Sequence, residues 1–377
     1  MTAAKKANPV ERIPLLLPDM PHTDELIGLL REIDAHRWYT NFGPLAQRFE
    51  AELARRIQAP GPLALVSLAN CTLALELLLA TCGLRAGATI LVPALTFVAT
   101  GTAIRRAGHR LLVADVDPLS WTLTPDIARA AAAAQHIDCV VAVTTLGCPV
   151  DVAQWDAFSE ETGIPVIVDA AGAFGNQEAG QRIALAFSLH ATKTMGIGEG
   201  GFAVSGDSGW IERVRCLSNF GIDPGDFKVH QAGTNAKLSE YHAAVGLAAL
   251  ARWPERAALR RQLALDYRQG LRAHCAGIEF QQRPGTGAYA TFCVLLPAGA
   301  DPAVVAAGLA DAGIETRRWY YPLLHLHPAF ADAGRAGKLA SSMDISGRLL
   351  GLPFHLDLDA NKMERVAQTL ARVLGEV

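Results

Sequence analysis

Three short segments of the sequence carry residue types that can act together chemically. The turn Asn70-Cys71-Thr72 lies between a β-like run, Leu63–Ser67, and a helical pattern. Free N–H groups at such a helix start bind anions such as phosphate, although the same polar turn also serves as an ordinary N-cap. Asp169 directly follows the apolar run Val166–Val168. The carboxyl ends of strands are where open α/β sheets bind ligands, although an Asp there can equally form a turn.

Lys193 adds an amine to this set. It lies in the segment Phe187–Gly201, among small and apolar residues. Most lysines are solvated, but a lysine in a partly desolvated pocket becomes a nucleophile for an aldehyde. Pyridoxal 5'-phosphate (PLP) requires a phosphate site, such a lysine, and a carboxylate that keeps its pyridine nitrogen protonated. The three segments together therefore predict a PLP-dependent protein.

Short apolar strands alternate with helices along the first part of the chain. The strand patterns are Leu63–Ser67, Thr89–Pro93, Leu111–Asp115, Cys139–Val143 and Val166–Val168. This βαβ alternation predicts a mostly parallel, buried sheet between helices. After residue 200 we expect helices at Ser239–Leu250 and Glu255–His274 and strands at Thr291–Leu296 and Gly313–Tyr321. The sequence thus predicts a large α/β domain over residues 1–250 and a smaller α+β domain over residues 251–377.

Length, composition and charge exclude several classes of protein. The chain has 377 residues, 50% hydrophobic and 19% charged, with a formal net charge of −3, which suits a large globular protein. This charge balance gives no basic footprint for nucleic acid, and no apolar stretch suits a membrane span. The seven cysteines are scattered and form no C-x-x-C pair, which indicates a reduced, cytoplasmic compartment rather than a disulfide framework. Nothing in the sequence requires a metal.

One motif matches a dinucleotide fingerprint by its letters alone. Residues Gly196–Gly201 read G-x-G-x-x-G, but that fingerprint needs a strand before it and a helix after it. Here a lysine-containing segment precedes the glycines and the β-like run Phe202–Val204 follows them. We therefore expect no nicotinamide or flavin site.

From about Leu15 to its C-terminus, the chain resembles the DegT/DnrJ/StrS-type sugar aminotransferases, which are PLP enzymes of fold type I. The segments that carry this resemblance are Tyr39–Pro44 with Phe49-Glu50, Val92–Thr100, Val166–Gly175, Ser188–Gly201 and Gly233–Ala244. The resemblance implies a large domain whose mostly parallel, seven-stranded sheet lies between helices, followed by a smaller C-terminal α+β domain.

The resemblance also implies roles for single residues. Lys193 matches the lysine that carries the cofactor covalently, and Asp169 matches the partner of the pyridine nitrogen. The other positions implied to bind the cofactor are Asn70, Cys71, Thr72 and Ser188 at the phosphate, Phe97 on the ring and His190 along the pocket. The alternative for Phe97 is an ordinary core position.

Two further groups of residues follow from the resemblance. Asn235 matches an Asn that reaches the phosphate of the neighbouring subunit, which implies a homodimer with shared active sites; the alternative is a turn residue that caps the next helix. The residues implied to lie near substrate are Tyr39, Thr40, Arg318, Tyr320, Tyr321 and His325. His325 and His327 could also suggest a metal pair, but contact with substrate or solvent is the favoured interpretation.

The implied activity is transfer of an amino group, expected from L-glutamate, to a keto sugar. We expect a nucleotide-linked 4-keto or 3-keto deoxysugar, with pyridoxamine phosphate as the intermediate form of the cofactor; a ketone on a cyclitol is a further alternative. Two other functions are a PLP-dependent sugar dehydratase, which typically has His at the lysine position, and a non-catalytic protein of the same fold. Lys193 and Asp169 argue against both.

Two positions depart from the family pattern. Cys71 stands where the family usually has Gly, and Gly172 stands where Gln or His commonly follows Asp-Ala-Ala. Backbone donors at the phosphate turn survive the first change. The second removes a side chain that would contact the ring or the substrate, so the details of the pocket differ from the family pattern.

Overall fold

The computed structural model describes residues 11–283 and 286–375. The predicted domain ranges also include residues 1–10, 284–285 and 376–377, which lie outside the described residues. The strands are β1 Ala64–Leu68, β2 Thr89–Pro93, β3 Arg110–Ala114, β4 Cys139–Val143, β5 Val166–Asp169, β6 Ala184–Ser188, β7 Gly201–Ser205, β8 Phe292–Leu295, β9 Gly334–Arg335 and β10 Leu349–Leu352. The α-helices are α1 Thr23–His36, α2 Pro44–Arg56, α3 Cys71–Thr81, α4 Val98–Arg106, α5 Pro125–Ala134, α6 Val152–Thr162, α7 Ser208–Ser218, α8 Glu240–His274, α9 Pro302–Asp311, α10 Ala340–Arg348 and α11 Ala360–Leu374.

The central strands form because they are apolar on both faces. All five residues of β4 are buried, and successive side chains enter opposite cores. Val140 packs in the core that contains Trp155, whereas Val141 packs in the core that contains Leu78. A period of two with both faces buried is typical of a parallel sheet covered by helices on each side.

The main sheet confirms the predicted fold class and adds one strand to it. Its eight strands have the order β1-β7-β6-β5-β4-β2-β3-β9. Pairing is parallel except at β7, which runs antiparallel to β1 and to β6. The eighth strand, where seven were predicted, is β9, a pair of exposed residues on β3 whose composition gives no strand signal. Strand β6 was also missed, because its apolar run continues directly into the lysine segment.

Helix α8 corrects the prediction of two separate helices at Ser239–Leu250 and Glu255–His274. It is one helix of 35 residues with Pro254 inside it. Proline removes one backbone hydrogen bond and usually ends a helix. Here Leu250, Trp253 and Ala257 around it are all buried against the main sheet's core, and that packing keeps the helix continuous.

A second, smaller sheet follows, in which β8 and β10 pair antiparallel. Its core includes Tyr267 of α8 and Ile13 from the N-terminal segment. The strand predicted at Gly313–Tyr321 is wrong, since only isolated bridges join Ile314 to Ile13 and Arg317 to Gly351. Two different partners each bond a single residue, so no continuous ladder forms. Because α8 runs across residue 250, the division of the chain at that residue stays a prediction.

Within residues 11–283 and 286–375, no helix combines the length and the apolar character needed to cross a bilayer.

Candidate active site

A cavity of about 390 Å³ lies at the carboxyl edge of the main sheet. Strand β5 ends there at Asp169 and β6 ends at Ser188, while β1 ends two residues before Asn70. Of the predicted residues, the cavity brings together Asn70, Cys71, Thr72, Phe97, Asp169, Ser188, His190, Lys193 and Tyr320. Residues from segments far apart in sequence therefore line one site, as expected at the edge of such a sheet.

Asp169 is fixed on both of its carboxylate oxygens. Thr100 Oγ1 donates to Oδ2 at 2.7 Å, and the Ala171 N–H donates to Oδ1 at 3.1 Å. The residue is only 5% exposed, and burial raises the pKa of its carboxyl, an effect that Thr100, Ala171 and Lys193 partly offset. Thr100 was missed as a site residue, although it ends the Val92–Thr100 segment and lies one turn into α4.

Lys193 lies in the connection between the antiparallel strands β6 and β7. The two arms of this connection bond to each other, with Leu189 N donating to Gly200 O at 2.9 Å and Ala191 N to Gly198 O at 2.8 Å. Burial lowers the pKa of the Lys193 amine, and the Asp169 carboxylate opposes that shift. Among the residues that the structure describes, none accepts a hydrogen bond from Lys193 Nζ. An amine with a lowered pKa and no hydrogen-bond acceptor is suited to nucleophilic attack.

The start of α3, where an anion site is predicted, lines the cavity. The side chain of Asn70 accepts from Leu73 N at 2.9 Å, so it caps the helix as the alternative interpretation held. The N–H groups of Cys71 and Thr72 lie in the first turn, where a helix has no internal acceptors for them. Ser188 and Thr192 line the same cavity with hydroxyl groups. The turn thus acts as an N-cap and also presents backbone donors to the cavity.

The structure shows why Gly201, the last glycine of the motif that resembled a dinucleotide fingerprint, has to be a glycine. A Cβ on Gly201 would lie 2.5 Å from Cys71 N and 2.6 Å from the Asn70 carbonyl carbon. Strand β7, rather than a helix, begins at this residue. The glycine is required so that β7 can approach the turn that starts α3.

Part of the cavity lining is aromatic and basic. Phe97, 48% exposed, lies 6.3 Å from Tyr320 between ring centroids. Arg317 lines the cavity, whereas the predicted residue Arg318 does not. The guanidinium carbon of Arg317 lies 4.2 Å from the centroid of the Trp319 ring. Arg317 and Trp319 were missed because the sequence does not show which residue of an Arg-Arg pair faces inward.

Several residues predicted near substrate lie outside the cavity of the single chain. Tyr39 stacks on Tyr241 at 6.2 Å, and the Thr40 carbonyl accepts a bond from the Trp38 indole. Arg318 lies 3.8 Å from the ring centroid of the exposed Tyr321 and donates to Ser346 O at 3.0 Å. His325 is buried, and its Nδ1 has no partner among the described residues. A substrate role for these residues stays a prediction.

Asn235 lies in an exposed segment before α8. It forms one antiparallel bridge with Asn219 and does not line the cavity of its own chain. An Asn that serves a neighbouring subunit's site has to be exposed in the single chain, so its position is compatible with that role. The role itself stays a prediction.

Gly172, the second departure from the family pattern, faces another glycine across the cavity wall. A Cβ on Gly172 would lie 3.3 Å from Gly147 N, and a Cβ on Gly147 would lie 2.8 Å from Gly172 O. Both residues line the cavity. The two backbones therefore approach closely, and this part of the wall carries no side chain.

Comparison with known proteins agrees with this geometry. Residues 22–371 match the DegT/DnrJ/EryC1/StrS aminotransferase family. The chain is 32% identical to Protein Rv3402c of Mycobacterium tuberculosis, over 97% of this chain and 92% of that protein. It is 27% identical to the UDP-2-acetamido-2-deoxy-3-oxo-D-glucuronate aminotransferase of Pseudomonas aeruginosa, over 92% of this chain and 95% of that protein.

A solved structure gives the same result at the level of the fold. The crystal structure of DesI in the presence of its TDP-sugar product superposes with a TM-score of 0.85 and 29% identity, covering 96% of this chain and 93% of that chain. The chain therefore belongs to the DegT/DnrJ/EryC1/StrS aminotransferase family and is an enzyme of its PLP-dependent sugar aminotransferase class.

Proposed function

We propose that this enzyme transfers an amino group from L-glutamate to the ketone of a nucleotide-linked 3-keto or 4-keto deoxysugar, with PLP as cofactor. The observation that carries the proposal is the convergence of Lys193, Asp169 and the start of α3 on one cavity. A dehydratase is disfavoured because the cofactor position holds a lysine, and a non-catalytic role is disfavoured because both ionisable groups are retained.

The residues present fit PLP. Lys193 Nζ would hold its aldehyde carbon, Asp169 its ring nitrogen, and the N–H groups of Cys71 and Thr72 with Ser188 its phosphate. The Thr100 hydroxyl and the Ala171 N–H donate to the Asp169 carboxylate, but neither neutralises its charge, and a protonated ring nitrogen would place a positive charge beside it. When bound, PLP supplies an electron sink for the carbanion that forms when an amino donor loses its α-proton.

The remaining steps belong to the chain's own groups. Lys193 Nζ takes a proton from the α-carbon of the amino donor and later gives a proton to the carbon that receives the amino group. Its lowered pKa favours this proton transfer. The Asp169 carboxylate keeps the proton on the ring nitrogen. Thr100 positions that carboxylate through its 2.7 Å hydrogen bond to Oδ2.

The relatives and the cavity wall both support a nucleotide sugar as acceptor. The named substrate of one relative is a UDP-linked 3-oxo sugar, and DesI was crystallised with a TDP-sugar product. In the present chain Gly147 and Gly172 line the cavity without side chains, and Arg317 adds a positive charge to its lining. A cation at this wall suits an anionic diphosphate or carboxylate.

We further propose that the active unit is a homodimer with shared sites. Exposed aromatic side chains surround the segment that carries Asn235, which is unusual for a monomer surface. They are Trp38, Tyr39, Phe220, Phe227 and Tyr241. A second copy placed on this surface would cover them and bring Asn235 toward the neighbouring cavity.

The test is an acceptor panel offered to the pyridoxamine phosphate form of the enzyme. The panel contains 3-keto and 4-keto sugars, each linked to UDP and to TDP, and a free keto sugar as control. Return of the visible absorbance of the lysine-bound cofactor, with an aminated sugar in the mass spectrum, is the expected result for at least one nucleotide sugar. If only non-sugar ketones restored the absorbance, the proposed substrate class would be wrong.

A further inference from the structure

Two adjoining cavities lie outside the candidate active site, between α8 and the start of the small sheet. Their volumes are about 70 Å³ and about 280 Å³, and they share Arg268 and Phe280 in their walls. Arg261 and Arg283 line the first cavity, and Arg272 lines the second. We refer to the four residues Arg261, Arg268, Arg272 and Arg283 as the arginine cleft.

The arginine cleft has no counter-ion within the described part of the chain. None of its four guanidinium groups lies within ion-pair distance of a carboxylate there. Glu279 also lines the second cavity, but Arg348 engages it, and Asp266 accepts instead from Gln262 at 2.7 Å. In a chain of net charge −3, four uncompensated cations in one cleft are a local feature rather than a consequence of composition.

Arg268 is only partly exposed and lacks a partner for part of its guanidinium group among the described residues. Its Nε is buried without a hydrogen-bond partner. Burial lowers the pKa of its guanidinium, and the positive charges of Arg272 and Arg283 lower it further. A buried, unpaired donor in a field of like charges is destabilising, and an anion in the cleft would relieve both costs.

Aromatic rings hold these side chains in place without neutralising them. The guanidinium carbons of Arg268 and Arg272 lie 4.9 Å and 5.4 Å from the centroid of Phe280, and that of Arg283 lies 3.9 Å from the centroid of Tyr289. Arg283 also donates to Gln281 Oε1 at 2.8 Å. Stacking of this kind pre-positions guanidinium groups, so less entropy is lost when an anion binds.

We propose that the arginine cleft is a second ligand site, which binds the phosphate or diphosphate group of a small molecule. Guanidinium groups match phosphate oxygens in bidentate geometry, and several of them suit an anion with more than one charge. A cavity of about 280 Å³ is at the small end for an organic ligand, which favours recognition of the phosphate end over that of a whole cofactor. The Tyr289 side chain lies between this cleft and Gly147 of the candidate active site, so the two sites are neighbours but distinct.

The test is calorimetric titration of the PLP-loaded enzyme with inorganic pyrophosphate. The test variant is Arg268→Gln/Arg272→Gln. The control is Arg129→Gln/Arg182→Gln, which removes the same charge from surface ion pairs with Asp126, Glu160 and Glu161. We expect one pyrophosphate per chain in the wild type and in the control, and about tenfold or greater weakening in the test variant. Equal affinity in all three proteins, or no binding to the wild type, would overturn the proposal.

A single substitution keeps the test decisive if the double variant does not fold. Arg272 is exposed and its loss leaves no buried group unpaired, so Arg272→Gln should fold, as circular dichroism would verify. We expect several-fold weaker pyrophosphate binding in that variant, and weaker binding to the wild type as sodium chloride is raised. Unchanged affinity in folded Arg272→Gln, or affinity that is independent of salt, would contradict a site built from these charges. Neither result depends on which sugar the active site accepts.

Discussion

Asp169 is buried and Lys193 is half-buried, and the environments of these opposite charges shift their pKa values toward each other. Burial raises the pKa of the carboxyl and lowers that of the amine. Each charge also favours the ionised form of the other, so neither group can be altered without changing its partner.

Sequence reasoning found both residues, because an Asp at a strand end and a Lys among small residues are visible as patterns. It missed Thr100 and Arg317, since their roles depend on which way a helix or a loop turns its side chains.

The substitution Asp169→Asn should lower turnover by orders of magnitude while leaving the phosphate contacts in place. A neutral amide does not hold the ring nitrogen protonated, so the electron sink is weakened. The measurement is the rate of transamination together with the affinity for PLP. Near-normal turnover in this variant would mean that another residue partners the ring nitrogen.

The same pair predicts a pH dependence for loading the apoprotein with PLP. The amine must be neutral to react, and the folded protein holds the pKa of Lys193 below its ordinary value of 10.5. Loading should therefore rise with pH, with a midpoint below 10.5. The midpoint should be lower still in Asp169→Asn, because the Asp169 charge raises the pKa of Lys193. The measurement is the visible absorbance of bound cofactor against pH. Glu199→Gln removes an exposed carboxylate from the same cavity and should leave the midpoint unchanged; an equal shift in both variants would contradict the pairing.

At the scale of elements, the site depends on contact between the β6–β7 connection and the start of α3. The sequence predicted β1 to β5 and β8 to within one residue at either end, because apolar runs are local signals. It divided α8 at Pro254, where tertiary packing outweighs the local preference, and it expected a strand at Gly313–Tyr321, where no single partner strand is available. The strands β6 and β9 were missed because one merges with the lysine segment and the other is only two residues long.

Gly201→Ala tests the contact between β7 and the α3 turn. Its Cβ would lie 2.5 Å from Cys71 N, so the turn must shift. We expect a loss of about 1–3 kcal/mol in the free energy of unfolding, as for overpacking elsewhere, together with weaker PLP binding. The control is Gly28→Ala in α1, where no atom lies within 4 Å and a gain of about 0.5–1 kcal/mol is expected. Urea unfolding measures the free energy of unfolding of both variants, and PLP titration measures their affinity for the cofactor. An unchanged free energy and affinity for Gly201→Ala would show that the turn tolerates a side chain.

In the whole molecule, the residue that is proposed to complete the active site of a neighbouring subunit lies at the surface. Asn235 is exposed, and so are the aromatic side chains around it. Sequence patterns do not reveal a surface formed by residues from several segments, and only the family resemblance suggested a role for Asn235. A stable dimer would bury these aromatic residues in an interface, where such side chains contribute most of the binding energy.

Two inactive variants test the shared site. Lys193→Ala removes the amine, and Asn235→Asp places a carboxylate where the neighbour's phosphate is expected. In a mixed dimer one site then combines the intact Lys193 of one chain with the intact Asn235 of the other. Mixing and refolding equal amounts should restore about a quarter of wild-type activity, since half of the dimers are mixed and each has one good site. No recovery in verified mixed dimers, or full activity in a monomer, would refute the shared site.

The proposed activity depends on covalent attachment of PLP to Lys193. The direct measurement is borohydride reduction of the PLP-loaded enzyme, followed by proteolysis and mass spectrometric mapping of the pyridoxyl group. We expect a label on the peptide that contains Lys193 and no label in Lys193→Ala, which should bind PLP only weakly and lose transamination. A pyridoxyl group on any other lysine, or a Lys193→Ala enzyme that still transaminates, would contradict it.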